Sequence, residues 1–383
     1  MNYHRQADPL VLISAAEPSA DMHGAALIQA VRKVRPKTRF VGNGGPAMAD
    51  AACEILFDMT AHAAMLHNAL GAAGHAYTML KTATAFLRNN HVDAVVVIDS
   101  PTLHLPLAGQ AHALGNAVLY YVAPQLWAWG AHRIYQLRHN VDRVAAILPF
   151  EESYFQKQGV RATFVGHPLI DSLNAAKPDD RTVKHIRGNA DLFVAILPGS
   201  RKQVVEQVLP GQIEVAERIA QAVPAARFGV SIAGERVEPV VRDLLRRSPV
   251  PINAYRDHHR DLIAAADLVL VASGTASLEV ALMGKPLIVM YNASPLIYHL
   301  LGRWIIKTPY LSLPNIIAQR EIIPEFMPYY RSTEPIAEIA IELLRHPEQR
   351  TQVTRELSAA LKPLQTKSAS QNTAALLLNL MEG

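Results

Sequence analysis

Two short apolar runs, Leu268–Ala272 and Pro286–Tyr291, flank a small-polar turn and a helical pattern, and no other stretch constrains the chain as much. Each run has strand length and turn-forming residues at its border. Between them Ser273-Gly274-Thr275 opens a helix whose Leu278, Ala281 and Leu282 fall on one face. Strand, tight turn, helix and strand make a βαβ unit. The helix N-terminus then lies at the carboxyl edge of the sheet, where free N–H groups and the positive dipole end favour a phosphate. Gly274 lets the backbone approach an anion, and Thr275 and Ser277 add hydroxyls. Glu279, one turn beyond Thr275, suits a ribose diol. An ordinary capped helix with a solvated Glu279 satisfies the same residues equally well.

The alternation repeats along the chain. Strands are predicted at Leu10–Ser14, Thr38–Val41, Ala94–Ile98, Val118–Val122, Val144–Leu148, Thr163–Val165, Phe193–Leu197 and Phe228–Ile232, with helical patterns between them. Several are apolar on both faces, which implies parallel sheets covered on both sides. The pattern breaks into a polar stretch between Asp171 and Asn189, then restarts, and Glu334–Met381 reads as helix. The 383 residues suit two domains, here two doubly wound Rossmann-like halves facing across a cleft.

Composition narrows the class. Half the residues are hydrophobic and 18% are charged, so a large core is expected. No apolar run reaches the roughly 18 residues of a membrane span. Met1–Pro9 is polar, without the apolar centre of a signal peptide, and a cytoplasmic protein is expected. The single Cys53 excludes an internal disulfide, and no cysteine–histidine spacing suggests a metal. The net charge of +4 is scattered, so no nucleic-acid partner is expected.

Four further segments lie at predicted strand ends. Glu17, Ser19 and Asp21 form a strand-to-helix turn, with Ser19 a candidate N-cap and the acids either facing a cleft or solvated. Asp99 ends the most apolar strand, where burial penalises its charged form; it suits a general base or a cap for the next helix. Gly199-Ser200-Arg201 resembles a diphosphate grip, because a guanidinium fork matches phosphate oxygens. Trp127 and Trp129 border an acyl or sugar site or pack in a core.

Taken together the chain resembles the lipid-A-disaccharide synthases, two-domain glycosyltransferases of GT-B architecture. The matching segments include Glu17-Pro18-Ser19 with Asp21 and His23-Gly24, Gly44-Gly45-Pro46, Ile98-Asp99-Ser100-Pro101 and Tyr121–Trp129. They continue with Leu148-Pro149-Phe150-Glu151, Gly166-His167-Pro168, Leu197–Arg201, Ala272–Glu279 and Leu313–Ala318. The resemblance implies an acceptor domain over residues 1–170, a linker at 171–190, a UDP-sugar domain over 191–345 and C-terminal helices at 346–383 that cross back or are exchanged in a homodimer.

It further implies transfer, with inversion, of a diacylglucosamine from its UDP donor to a lipid-linked glucosamine 1-phosphate, with no cofactor or metal. Asp99 matches the family's essential aspartate and Arg201 its essential arginine, while Gly274, Thr275, Ser277, Glu279 and Asn315 match donor-site segments. The departures are Ala16 and Ala20 where the family has glycine, Met65–Leu70 for Met-Gly and an apolar-acidic-apolar turn, Thr102-Leu103-His104 for Asp-Phe-Asn, Val204 for an acid and Pro328 for glutamine. They leave a transferase with another lipid acceptor, or a UDP-sugar-binding protein without catalysis, as alternatives. Acylated substrates imply peripheral contact with the inner face of the cytoplasmic membrane. Met65, Leu66, Leu70, Met79, Leu80, Phe86 and Leu87, or Leu300–Lys307, offer apolar surface unless they are core.

Overall fold

In the computed structural model the described residues are 8–58, 69–292 and 308–382. They divide into two compact units, residues 1–172 with 363–383, and residues 173–362.

The first unit contains strands β1 (Leu10–Ala15), β2 (Arg39–Gly44), β3 (Glu54–Asp58), β4 (Ala94–Ile98), β5 (Val118–Tyr121), β6 (Arg143–Ala146) and β7 (Ala162–Phe164). All are parallel, in the order β3-β2-β1-β4-β5-β6-β7. Its helices are α1 (Pro18–Val34), α2 (Pro46–Asp50), α3 (Ala69–Asn89), α4 (Pro101–Ala113), α5 (Ile134–Asn140), α6 (Pro149–Lys157) and α7 (Pro168–Ala175). Strand β4 shows why the sheet is doubly covered. Val96 and Ile98 point to a core built with Leu27 and Ile28 of α1, and Val95 and Val97 to one built with Leu87 of α3 and Leu105 of α4. All five residues of β4 are sealed from solvent, and each buried valine or isoleucine contributes about 1.5–3 kcal/mol.

The second unit begins with α8 (Asp180–Arg187), followed by β8 (Leu192–Leu197), α9 (Lys202–Ala222), β9 (Ala226–Ile232), α10 (Glu238–Arg246), β10 (Ile252–Arg256), α11 (His259–Ala265), β11 (Leu268–Ala272), α12 (Thr275–Leu282) and β12 (Leu287–Met290). After them come α13 (Leu313–Ala318), β13 (Glu325–Phe326), α14 (Glu334–Arg345) and α15 (Pro347–Gln365). This sheet is parallel too, ordered β10-β9-β8-β11-β12-β13. The last helix, α16 (Ala369–Glu382), packs on α1 of the first unit and buries Ala369, Ala374 and Leu377 in its core.

Among the described residues three strands lie outside the sequence expectation: β3, β10 and β13. All are edge strands with half-exposed residues, so they lack the continuous apolar run that marks a central strand. The polar stretch expected as a linker is largely helical, with Lys177-Pro178 separating α7 from α8. There Asp179 caps α8 by accepting from the Thr182 N–H at 2.8 Å. The apolar residues of α3 turn inward. Met79 and Leu87 are buried and Leu80 and Phe86 pack on the core, so of the two alternatives these four take the core one. Met65, Leu66, the Leu70 side chain and residues 300–307 lie outside the described residues. Among the described residues no helix is long and apolar enough to cross a membrane.

Candidate functional site

In the second sheet the strand order reverses between β8 and β11, which are direct neighbours. At such a reversal the two following helices leave to opposite faces and open a crevice at the carboxyl edge. The turn after β8 carries Gly199 at φ +103°, and the turn after β11 carries Gly274 at φ +133°. Both conformations favour glycine over any residue with a Cβ. Helix α9 starts just past Arg201 and α12 just past Gly274, and neither has a side-chain cap on its N-terminus. The two turns line one hollow of about 340 Å³, with Gly199, Ser200 and Arg201 on one side and Ser273, Gly274 and Thr275 on the other. Arg201 is exposed there. Two helix N-termini and a guanidinium around one cavity suit an anion.

His259 and Glu279 complete the wall. Glu279 is buried, and its Oε1 accepts from Arg260 Nε at 2.8 Å and pairs with His259 Nε2 at 3.3 Å. Burial pushes this carboxyl upward, but the bonds from His259 and Arg260 outweigh it and hold the pKa below its ordinary value. Glu279 is therefore an ionised anchor for two cationic or neutral donors as well as a wall of the hollow. The sequence pattern missed His259 and Arg260, because the partners of Glu279 sit about 20 residues upstream on another helix.

Two expected donor-site residues prove to be internal. The Ser277 hydroxyl is buried and donates to the Gly274 carbonyl at 2.8 Å, so it closes the first turn of α12. Asn315 is fully buried; its amide donates to Ile323 O and Glu325 Oε2, and its Oδ1 accepts from the Ile322 and Ile323 N–H groups. Its hydrogen-bonding capacity is used in holding the 322–325 segment to α13. Neither lines the hollow.

In the first sheet the order reverses between β1 and β4. Asp99, half-buried, follows β4 at this reversal, and both it (φ +56°) and Ser100 (φ +44°) are left-handed. Burial raises the Asp99 pKa above the ordinary carboxylate value, against a lowering bond from the Ser100 N–H. Glu17 is exposed and occupies the N-cap of α1, while Ser19 lies inside the first turn and caps nothing. The Ser19 expectation is thereby corrected: Pro18 at the first helical position starts the helix two residues earlier. Asp21 is corrected too. It is buried and accepts from the Gly45, Ala47 and Met48 N–H groups at 2.8, 2.9 and 3.1 Å, so it caps α2 from α1. Ala16 and Ala20 are buried without positive φ, so neither position demands glycine.

Trp127 donates through Nε1 to Glu151 Oε1 at 3.0 Å and meets Phe150 edge-on, whereas Trp129 is 41% exposed. A larger hollow of about 1090 Å³ lies at the opposite, amino-terminal edge of the first sheet, near Arg143, Arg161 and Leu376. Neither strand reversal opens onto it. Among the described residues no cluster of histidine, cysteine and acidic side chains could hold a metal ion.

Comparison with known proteins gives the same direction. A family profile described as lipid-A-disaccharide synthetase matches residues 11–378. The lipid-A-disaccharide synthase of Nitrosococcus oceani is 36% identical over 377 residues, covering 98% of this chain and 97% of the relative. That of Syntrophus aciditrophicus is 36% identical over 383 residues, with 97% and 98% covered. Among solved structures, a putative UDP-N-acetylglucosamine 2-epimerase from Listeria monocytogenes shares the fold at 12% identity and TM-score 0.66, with 97% of this chain and 96% of that one covered. Acinetobacter baumannii MurG shares it at 14% and 0.55, with 97% and 99% covered. The chain belongs to the lipid-A-disaccharide synthase family of glycosyltransferases.

Proposed function

We propose that the protein joins a UDP-linked 2,3-diacylglucosamine to 2,3-diacylglucosamine 1-phosphate, with inversion at the donor carbon, releasing UDP and lipid A disaccharide 1-phosphate. The observation that carries the donor half is the single hollow shared by the turns at Gly199–Arg201 and Ser273–Thr275. The diphosphate is held there by the first-turn N–H groups of α9 and α12 and by Arg201, with Glu279 beside the nucleoside. Asp99 removes the proton of the acceptor 6-hydroxyl as that oxygen attacks the anomeric carbon. The bond to the diphosphate breaks, and Arg201 balances the charge developing on UDP. Burial raises the Asp99 carboxylate above its ordinary value and so makes it a stronger base than a solvated one, which suits this role.

The acyl chains require peripheral contact with the inner face of the cytoplasmic membrane, which flotation with anionic liposomes tests. Exchange of α16 between two copies would make a homodimer, and sedimentation of the full chain measures it. Incubation with the UDP-diacylglucosamine donor and the monosaccharide acceptor tests the reaction itself. UDP together with disaccharide supports it. UDP released only with another lipid acceptor, or UDP bound without turnover, overturns it.

A further inference from the structure

The strained turn that presents Asp99 is held by side chains to which the reaction gives no role. The carbonyl oxygen of Asp99 accepts two hydrogen bonds, from the Tyr120 phenol at 2.7 Å and from His104 Nδ1 at 2.8 Å. A carbonyl only accepts, so Nδ1 carries the proton. Burial lowers His104 to about 4 and keeps the ring neutral at working pH, so Nε2 is an acceptor. Ser14 Oγ, 3.0 Å away, therefore donates to it, and itself accepts from Asn43 Nδ2 at 3.3 Å. Ser14, Asn43 and His104 are all fully buried. The proton order of the chain is thus fixed from Asn43 on β2, through Ser14 on β1 and His104 on α4, to the peptide of Asp99. Tyr120 on β5 grips the same oxygen, and the Asp99 N–H is held by the Tyr121 carbonyl at 3.0 Å.

We infer that His104 and Tyr120 are positioning residues for the catalytic carboxylate: they lock the Asp99 peptide in its left-handed conformation and so set where the side chain points. The inference rests on the reading of Asp99 as the base. Left-handed backbone at two successive residues with side chains is unfavourable unless its surroundings fix it. The two bonds to the Asp99 carbonyl are the side-chain contacts that fix it. Without them the Asp99–Ser100 peptide is free to relax, and the carboxylate swings away from the position in which it meets the acceptor hydroxyl.

The geometry of histidine gives a discriminating pair of variants. An asparagine amide nitrogen attached at Cγ occupies the place of Nδ1, so His104→Asn keeps the bond to Asp99 and drops the bond to Ser14. A glutamine amide lies one atom further out, near Nε2, so His104→Gln keeps the outer bond and drops the inner one. Tyr120→Phe removes the second bond alone. With the same donor and acceptor assay, His104→Asn is expected within a few-fold of the parent kcat. His104→Gln and Tyr120→Phe each lose about 10²-fold in kcat, as misplacement of a reacting group by about 1 Å does, with UDP affinity unchanged by calorimetry and the acid limb of the pH–rate profile displaced.

Equal activity of the two His104 variants, or losses that merely follow falling Tm, overturn the inference. Asp99→Asn serves as the reference. If it is inactive while His104→Gln and Tyr120→Phe turn over normally, the positioning role falls and the base stands. If Asp99→Asn itself turns over normally, both fall.

Discussion

Ala15 and Ile98 are register partners in adjacent parallel strands, so Ala16 and Asp99 leave the first sheet side by side where its strand order reverses. Asp99 lies at the carboxyl edge of the sheet, where such reversals open a crevice. Asp99→Asn keeps the shape and removes the proposed base. Turnover should fall by about 10²–10⁴-fold, with UDP affinity unchanged in a calorimetric titration. A matching loss of UDP binding would assign Asp99 to the donor instead.

Arg201→Ala and Gly274→Ala probe the other sheet reversal. The first removes the guanidinium from the hollow and should weaken both UDP binding and donor use, by about 1.5–3 kcal/mol for a charged hydrogen bond. In the second, a Cβ meets no protein atom within 4 Å, yet φ +133° is disfavoured for alanine. UDP affinity should therefore fall through backbone rearrangement and the added methyl, and an unchanged dissociation constant would move the diphosphate elsewhere.

Asp21→Ala should behave as a stability variant. Three backbone donors lose their acceptor, two of them in buried bonds, and an unsatisfied buried group costs about 1–3 kcal/mol. Chemical denaturation should show the loss with UDP binding intact. A selective loss of acceptor turnover at unchanged stability would restore Asp21 to the substrate site.

Acid should destabilise the first unit through its histidines. Burial lowers His23 and His104 to about 4 and His167 to about 3. Below about 6.5 the unfolded chain takes up protons that the folded one refuses. Their contribution is thus complete above pH 6.5 and shrinks as pH falls toward 4. Glu151 opposes them: burial raises it to about 7 against bonds from Trp127, Leu148 and Ile147. Its contribution is present at acid pH and fades as pH rises from about 4.5 through 7. Scanning calorimetry across pH 4–7.5 should show Tm falling on acidification, less steeply in His104→Asn and more steeply in Glu151→Gln.

Ala20→Gly should lower stability by about 1 kcal/mol, the helix-interior difference between the two residues, and leave turnover alone. The methyl is buried in the face of α1 and relieves no strained φ when removed. Higher activity would show that ligand, not core, lies against that methyl.

What could be read from the residues follows a physical divide. Strands such as β4 and β11 are sealed on both faces and announce themselves as unbroken apolar runs. Edge strands such as Ile252–Arg256 do not, because none of their residues is fully buried and polar ones are tolerated. Glycines with φ above +100° at Gly199 and Gly274 were legible as turns because glycine and a following helix start are local signals. Whether a polar side chain serves a ligand or the protein is not local. Ser277, Asn315 and Asp21 each find their acceptors and donors within the fold, and the partners of Asn315 and Asp21 lie several to many residues away. The His104–Ser14 contact joins residues 90 positions apart, which no spacing rule encodes.

Helix α16 finishes a core begun at residue 10, yet the whole of the second unit is translated between them. The nascent first unit must emerge from the ribosome with the α1 face uncovered, and it stays unfinished until the final helix arrives. Order of synthesis and order of completion are therefore inverted: the half made first is the half sealed last.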